Sequence, residues 1–200
     1  MQDLATLLYR FGRLPFVQGS IPGAVLEAAL AHVRQARVLP TYEFVDVLRA
    51  EQSVGWQVKS TLSGTPVTWN RAKLPERVKL IAASRSSVER LQHLGDTIIA
   101  FCNEHALASM KIYNLRQIGY ARLIVFPDGK AHYFEKTLCS RQRPLLFEPA
   151  EFEWRWSAHK QTQGKEQLSA LHGWHRPTDS KWFAWHGAGE NQLHFTGDKY

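Results

Sequence analysis

Only two of the 200 residues are cysteine, Cys102 and Cys139. They lie far apart and match no metal-ligand spacing, so the expectation is two reduced core thiols in a cytoplasmic protein rather than a disulfide framework. No apolar run approaches the roughly eighteen residues a membrane span needs. The N-terminal stretch lacks a signal-peptide layout. The chain has no glycine-rich phosphate loop, no H-E-x-x-H pair and no serine, histidine and acid that can be assigned as a nucleophilic triad. Internal repeats, low-complexity tracts and an obvious linker are also missing, which favours one continuous domain over 1–200.

What is present is globular and basic. Hydrophobic residues make up 44% and charged residues 22%, the balance of a chain that buries a core. The net charge of +7 favours polyanionic partners, because the field concentrates them before contact. Between Trp69 and Arg90 stand Arg71, Lys73, Arg77, Lys79, Arg85 and Arg90, against only Glu76 and Glu89. Such a segment is either a solvated helix face or a ridge that contacts phosphates.

The pattern along the chain predicts an α+β fold. "MQDLATLLYRFG" reads as a short amphipathic helix. "GSIPGAVLEAALAHVRQARVLP" reads as a second, with Ser20 as cap, Pro22 in the first turn and Pro40 as stop. "TYEFVDVLRA" and "WQVKSTL" are aromatic and β-branched strands across the turn "EQSVG", and "VTWNRAKL" is a possible third. From Glu76 to about Ala108 the pattern is helical, with a stripe of Val88, Leu91, Leu94, Ile98, Ile99 and Cys102. "IGYARLIVFPDGKAHYFEKTL" is a hairpin around Pro-Asp-Gly. "FEWRWSAH" reads as a strand, "GKEQLSALHGWHRP" as a short helix, and "KWFAWH" and "QLHFTG" as closing strands. The implied architecture is a central mixed sheet flanked by helices. Its core spans about 20–140, followed by an aromatic-rich part over about 141–200.

Two polar groups sit oddly in this pattern. Asp46 stands between Val45 and Val47, and Gln57 and Lys59 flank Val58 in the next strand. Strand side chains alternate, so Gln57 and Lys59 share a face, and antiparallel pairing can bring Asp46 beside them. A carboxylate buried next to an ammonium is often no more stabilising than apolar residues. A divalent cation changes that balance, since carboxylate and amide oxygens are hard ligands suited to magnesium. The ordinary alternative is a locally paired Asp46 and a Lys59 that snorkels from an edge strand.

Asp46, a gap, then Gln57-x-Lys59 across a hairpin, with Glu27 on the preceding helix, resembles the PD-(D/E)xK nucleases. The segment after Lys59, "STLSGTPVTWNRAK", is similar to type II restriction endonucleases. The resemblance covers residues 20–75. Val45 replaces the family's proline, and Gln57 replaces the usual acid. The resemblance implies a magnesium-dependent DNA endonuclease, a restriction enzyme. Asp46, Gln57 and Glu27 would hold the metal, Lys59 would act on the attacking water, and Trp69, Arg71 and Lys73 would track DNA. A palindromic target calls for a homodimer on double-stranded DNA. The other outcome the motif allows is a non-catalytic nucleic-acid-binding module.

The nine histidines include an H-x-x-H at His172 and His175, read as packing or surface residues. Five tryptophans follow residue 150, either as core or as a surface that stacks on bases. Arg141 and Arg143 are a loop pair with reach to phosphate or guanine edges. "SRSS" over 84–87 either caps a helix or binds phosphate through its amides.

Overall fold

The structure, a computed structural model, describes every residue except Met1, Phe16, Gln18, Thr41, Tyr42, His159, Gln163, Gly164, Leu168 and 198–200. Its elements in chain order begin with α1 (Gln2–Gly12), α2 (Gly23–Arg34), β1 (Arg37–Val38), β2 (Val47–Arg49), β3 (Val54–Leu62) and β4 (Val67–Arg71). Two helices follow, α3 (Arg77–Ser84) and α4 (Val88–Ile112), then the hairpin β5 (Gln117–Val125) and β6 (Ala131–Ser140). The remaining strands are β7 (Phe152–Trp156), β8 (Lys160–Thr162), β9 (Lys165–Gln167), β10 (Leu171–His175), β11 (Ser180–Trp185) and β12 (Gln192–Phe195). The α+β expectation is borne out, with a mixed five-stranded sheet and helices packed on it. No helix among the described residues is long and apolar enough to cross a membrane.

Contacts divide the chain into two compact units. The first comprises 1–65 and 105–146, and the second 66–104 and 147–200. The first unit's sheet has the order β1-β2-β3-β5-β6. β3 pairs with β2 antiparallel over Val54–Trp56 only, and with β5 in parallel over its whole length. One face of this sheet is apolar because β3 and β5 alternate: Val54, Trp56, Val58, Ala121, Leu123 and Val125 pack on Leu4 and Leu8 of α1 and Leu26 and Leu30 of α2. Each valine or leucine among them, fully buried, contributes roughly 1.5–3 kcal/mol. On the other face Gly55 has no room for a side chain. A Cβ there would lie 2.6 Å from Val45 Cγ1 and 3.0 Å from Leu115 Cδ1.

A half-buried carboxylate fastens α2 to this sheet. Glu135 Oε1 accepts from Arg34 Nη2 at 2.6 Å and from the Tyr133 hydroxyl at 2.8 Å, and Oε2 accepts from Trp56 Nε1 at 3.0 Å. Arg34 is 39% exposed, so its ion pair contributes little by itself. Loss of the acceptor leaves the indole N–H of Trp56, only 8% exposed, without its partner. Glu135→Ala is therefore expected to cost about 2 kcal/mol, read from urea unfolding. An unchanged midpoint would contradict this role for Glu135.

The second unit has an antiparallel sheet, β4-β12-β11-β10-β7. Its core is aromatic, with Phe147 meeting Trp69 (5.5 Å between ring centroids), Phe183 (4.9 Å) and Phe195 (5.6 Å). Leu94, Ile98, Ile99 and Cys102 of the predicted α4 stripe are buried, whereas Val88 is 77% exposed at the helix start.

Several expectations need correction. Ser20 does not cap α2: Pro22 occupies the cap position and no side chain bonds there. The first strand is shorter than "TYEFVDVLRA", beginning only at Val47; Thr41 and Tyr42 lie outside the described residues. β4 follows β3 directly yet joins the other sheet. "GKEQLSALHGWHRP" is not a helix but contributes β9 and β10, with Gly164 and Leu168 outside the described residues. In β10 the buried Leu171, Gly173 and His175 alternate with half-buried His172 and Trp174, a period of two.

Candidate active site

The site lies where β2 leaves β3. The ladder between them ends at Val47 and Trp56, so beyond that point no strand pairs with this edge of β3. Asp46 sits at the fork. Its backbone N–H donates to Trp56 O at 2.8 Å, and its Oδ2 accepts the N–H of Val58 at 2.7 Å. A side-chain carboxylate thus takes the place of the missing strand. Phe44, Val45 and Val47 on either side are almost fully buried, which fixes the backbone that carries it.

Glu27, on α2, is coupled electrostatically to Asp46 and Lys59. Leu26 and Leu30 face the sheet, which sets Glu27 at the edge of the buried stripe. Ser60 Oγ donates to Ile21 O at 2.5 Å and ties the start of the helix to β3. Burial first, and then the charge of Asp46, raises the Glu27 pKa; Lys59 partly offsets both. Asp46 is likewise raised, by burial, against the opposing pull of Lys59 and the Val58 N–H. The two acids and Lys59 therefore form one electrostatic cluster, as the sequence suggested for Asp46, Lys59 and Glu27.

Gln57 completes it differently. The β2–β3 register, continued one residue past the ladder, sets Asp46 against Gln57. Gln57 is 2% exposed, and its Oε1 is buried with no hydrogen-bond partner. Such an atom costs about 1–3 kcal/mol. Among the described residues no three His, Cys, Asp or Glu side chains gather as a cation site. The register sets this unsatisfied amide oxygen opposite the raised Asp46 carboxyl, and carboxylate and amide oxygens are ligands that suit magnesium, a hard cation. A separate cavity of about 550 Å³, lined by α1, the segment before α2 and the β5–β6 turn, contains none of these residues.

The raised acids have a consequence for stability. A carboxyl whose folded pKa lies above its unfolded value contributes stability below the unfolded pKa, and this is lost as pH rises through the folded pKa. In chelator, the stability of the wild type minus that of Asp46→Asn is thus expected to fall as pH rises above about 4, the ordinary carboxyl value. Asparagine keeps an acceptor for Val58 and removes the ionisation, so the variant isolates the charge. Thermal melts across this range check the sign; a difference that grows with pH would contradict it.

The predicted DNA-contacting residues fare unequally. Trp69 is 2% exposed and packs on Phe147 and Phe195, so it is a core residue and does not track a backbone. Arg71 and Lys73 are exposed at the end of β4. Arg85 is exposed after α3 and lies 4.4 Å over the Trp156 ring. Arg141 braces a turn, donating to Leu115 O at 3.0 Å and Asn114 Oδ1 at 2.6 Å. Arg143 is exposed beside it. Trp154 and Trp185 are core residues, and His175 is buried, bonded to Thr178 and stacked on Trp182. Cys102 and Cys139 are free and buried, and burial pushes their thiols up to about 12 and about 11.

The positive charge is concentrated in the unit that holds the fork. The first unit has thirteen Lys and Arg against seven Asp and Glu, the second twelve against eleven. No family model, no curated protein and no solved structure matches this chain.

Proposed function

We propose that the first unit is a magnesium-dependent endonuclease centre that hydrolyses phosphodiester bonds in double-stranded DNA, in the manner of type II restriction enzymes. The observation that carries this reading is the β2–β3 fork, where two raised carboxyls are coupled to Lys59 and a buried amide oxygen without a partner stands opposite Asp46 in register.

Asp46, Gln57 and Glu27 would hold the metal. Bound there, magnesium neutralises phosphate charge, lowers the pKa of water and stabilises the leaving oxygen. Asp46, pinned by the Val58 N–H, presents one fixed carboxylate edge. Glu27 supplies the charge that Gln57 lacks. Lys59 orients the attacking water and offsets charge on the phosphate. The water oxygen forms a bond to phosphorus, the phosphorus–oxygen ester bond breaks, and the departing oxygen ends as a hydroxyl. The positive first unit attracts the polyanion. A palindromic target would be cut by a homodimer, one centre per strand.

The glutamine at position 57 gives the second reading, a nucleic-acid-binding protein that does not cut. Incubation with pooled genomic DNA separates the two. Discrete fragments in magnesium and none in chelator are expected; DNA that binds but stays intact in both would favour the non-catalytic reading.

A further inference from the structure

We propose that the cavity beside α1 binds a free fatty acid, with the acyl chain inside and the carboxylate on Arg13; this is independent of the nuclease reading. The cavity, of about 550 Å³, is lined by residues of the first unit alone. Ala5, Tyr9 and Gly12 border it at helical spacing, so one face of α1 forms a wall. Ala5 and Gly12 are small where larger side chains would close the space. A Cβ on Gly12 would meet nothing within 4 Å, and the same holds for Gly19 and Gly129 on the other walls. The floor is aliphatic: Leu8, Leu123 and Val125 are at most 6% exposed. Ile21 closes one side, held by the hydrogen bond from Ser60 Oγ to its carbonyl.

Ligand cavities are mostly apolar, with a few polar groups that fix orientation. Charge selects the head group here. Among the described residues no acid lines the cavity. Lys130 is neutralised by Asp128 at 2.9 Å, which leaves Arg13, exposed at the rim. Its guanidinium lies 5.5 Å over the Tyr9 ring and donates to the Tyr9 hydroxyl at 2.6 Å, and no acid among the described residues pairs with it. That contact fixes the guanidinium, and its remaining donors suit the paired oxygens of a carboxylate. Tyr9 and Tyr133 are the aromatic residues of the lining, and their hydroxyls are engaged with Arg13 and Glu135. An aliphatic floor with one unpaired cation at its rim matches an acyl chain that ends in a carboxylate.

The test is calorimetric titration of the full chain with decanoate, octanoate and decanol, with a thermal melt of each protein used. Decanoate should bind with a Kd of about tens of micromolar and raise the melting temperature. Octanoate should bind about tenfold more weakly, since each buried methylene is worth about fourfold. Arg13→Met should weaken decanoate about tenfold and leave decanol unchanged. Gly12→Phe, which fills the cavity, should abolish binding of both; if it does not fold, Ala131→Phe takes its place. No binding by the wild type, wild-type affinity in the filled variant, or decanol bound as tightly as decanoate would overturn the proposal. Capture of the protein by vesicles of phosphatidylcholine and phosphatidylglycerol, lost in Gly12→Phe, would mark a membrane-docking groove instead and overturn it as well.

Discussion

Lys59→Ala is expected to reduce magnesium-dependent DNA cleavage by about a thousandfold or more while leaving the fold intact. Proton transfer and charge stabilisation by one positioned group are worth 10²- to 10⁴-fold, and Lys59 enters the centre in two ways. In the proposed centre its ammonium would face the phosphate and the water. It also pulls down the pKa values of Asp46 and Glu27, which burial has raised. Without it both acids hold their protons to higher pH, and a metal must displace those protons to bind. The variant's apparent magnesium affinity should therefore be weakest at low pH and recover as pH rises. The fold should persist because Lys59 is half-buried at the open end of β3, outside the apolar cluster. Lys59→Arg should not restore the full rate, since a longer, planar guanidinium does not place its charge where the compact ammonium does. Cleavage rates and magnesium titrations at several pH values check this, and near-wild-type cutting by Lys59→Ala would remove Lys59 from the chemistry.

The largest stability effect is expected at Gly95, where a general rule reverses. Alanine in the middle of a helix is favoured over glycine by about 1 kcal/mol, and Gly95 lies within α4. Yet a Cβ on Gly95 would lie 2.1 Å from Trp154 Cδ1 and 2.2 Å from its Cγ and Nε1. The indole cannot retreat, because a Cβ on Gly173, at its far edge, would already meet Trp154 Cη2 at 2.8 Å. Trp154 is 3% exposed and stacks on Phe183. Overpacking of this kind costs 1–3 kcal/mol or more, and so rigid a site belongs at the upper end. Gly95→Ala is expected to lose about 3 kcal/mol in urea unfolding. A variant as stable as the wild type would mean that the indole has room the structure does not show.

How much of this could be read beforehand depended on whether the signal was local. The β5–β6 hairpin was plain, since Pro127, Asp128 and Gly129 form a turn with Gly129 at φ +80° between two runs. The β2–β3 pairing and the spacing of Asp46 and Lys59 were also local, and Glu27 followed from helix periodicity. Three other features depended on tertiary contacts. The parallel pairing of β3 with β5 joins residues about sixty positions apart and leaves no trace in either strand alone. β4 reads as a possible third strand after β2 and β3, yet the chain changes sheets there. β10 reads as part of a short helix, whereas its burial alternates with a period of two and Gly173 leaves room for the Trp154 indole that lies against it.

The site shows the same division. Asp46 was found because a charge in an apolar run is conspicuous. Trp69 was misjudged because tryptophan beside arginine suits both a core and a nucleic-acid surface; only its packing on Phe147 and Phe195 decides.

The central claim is that Asp46, Gln57 and Glu27 hold a divalent cation at the fork. Crystals soaked in manganese test it most directly, through anomalous scattering. The account predicts a peak about 2.2 Å from an Asp46 oxygen and from Gln57 Oε1, lost in Asp46→Asn. Manganese bound elsewhere, or no peak at the fork at saturating metal, would contradict it.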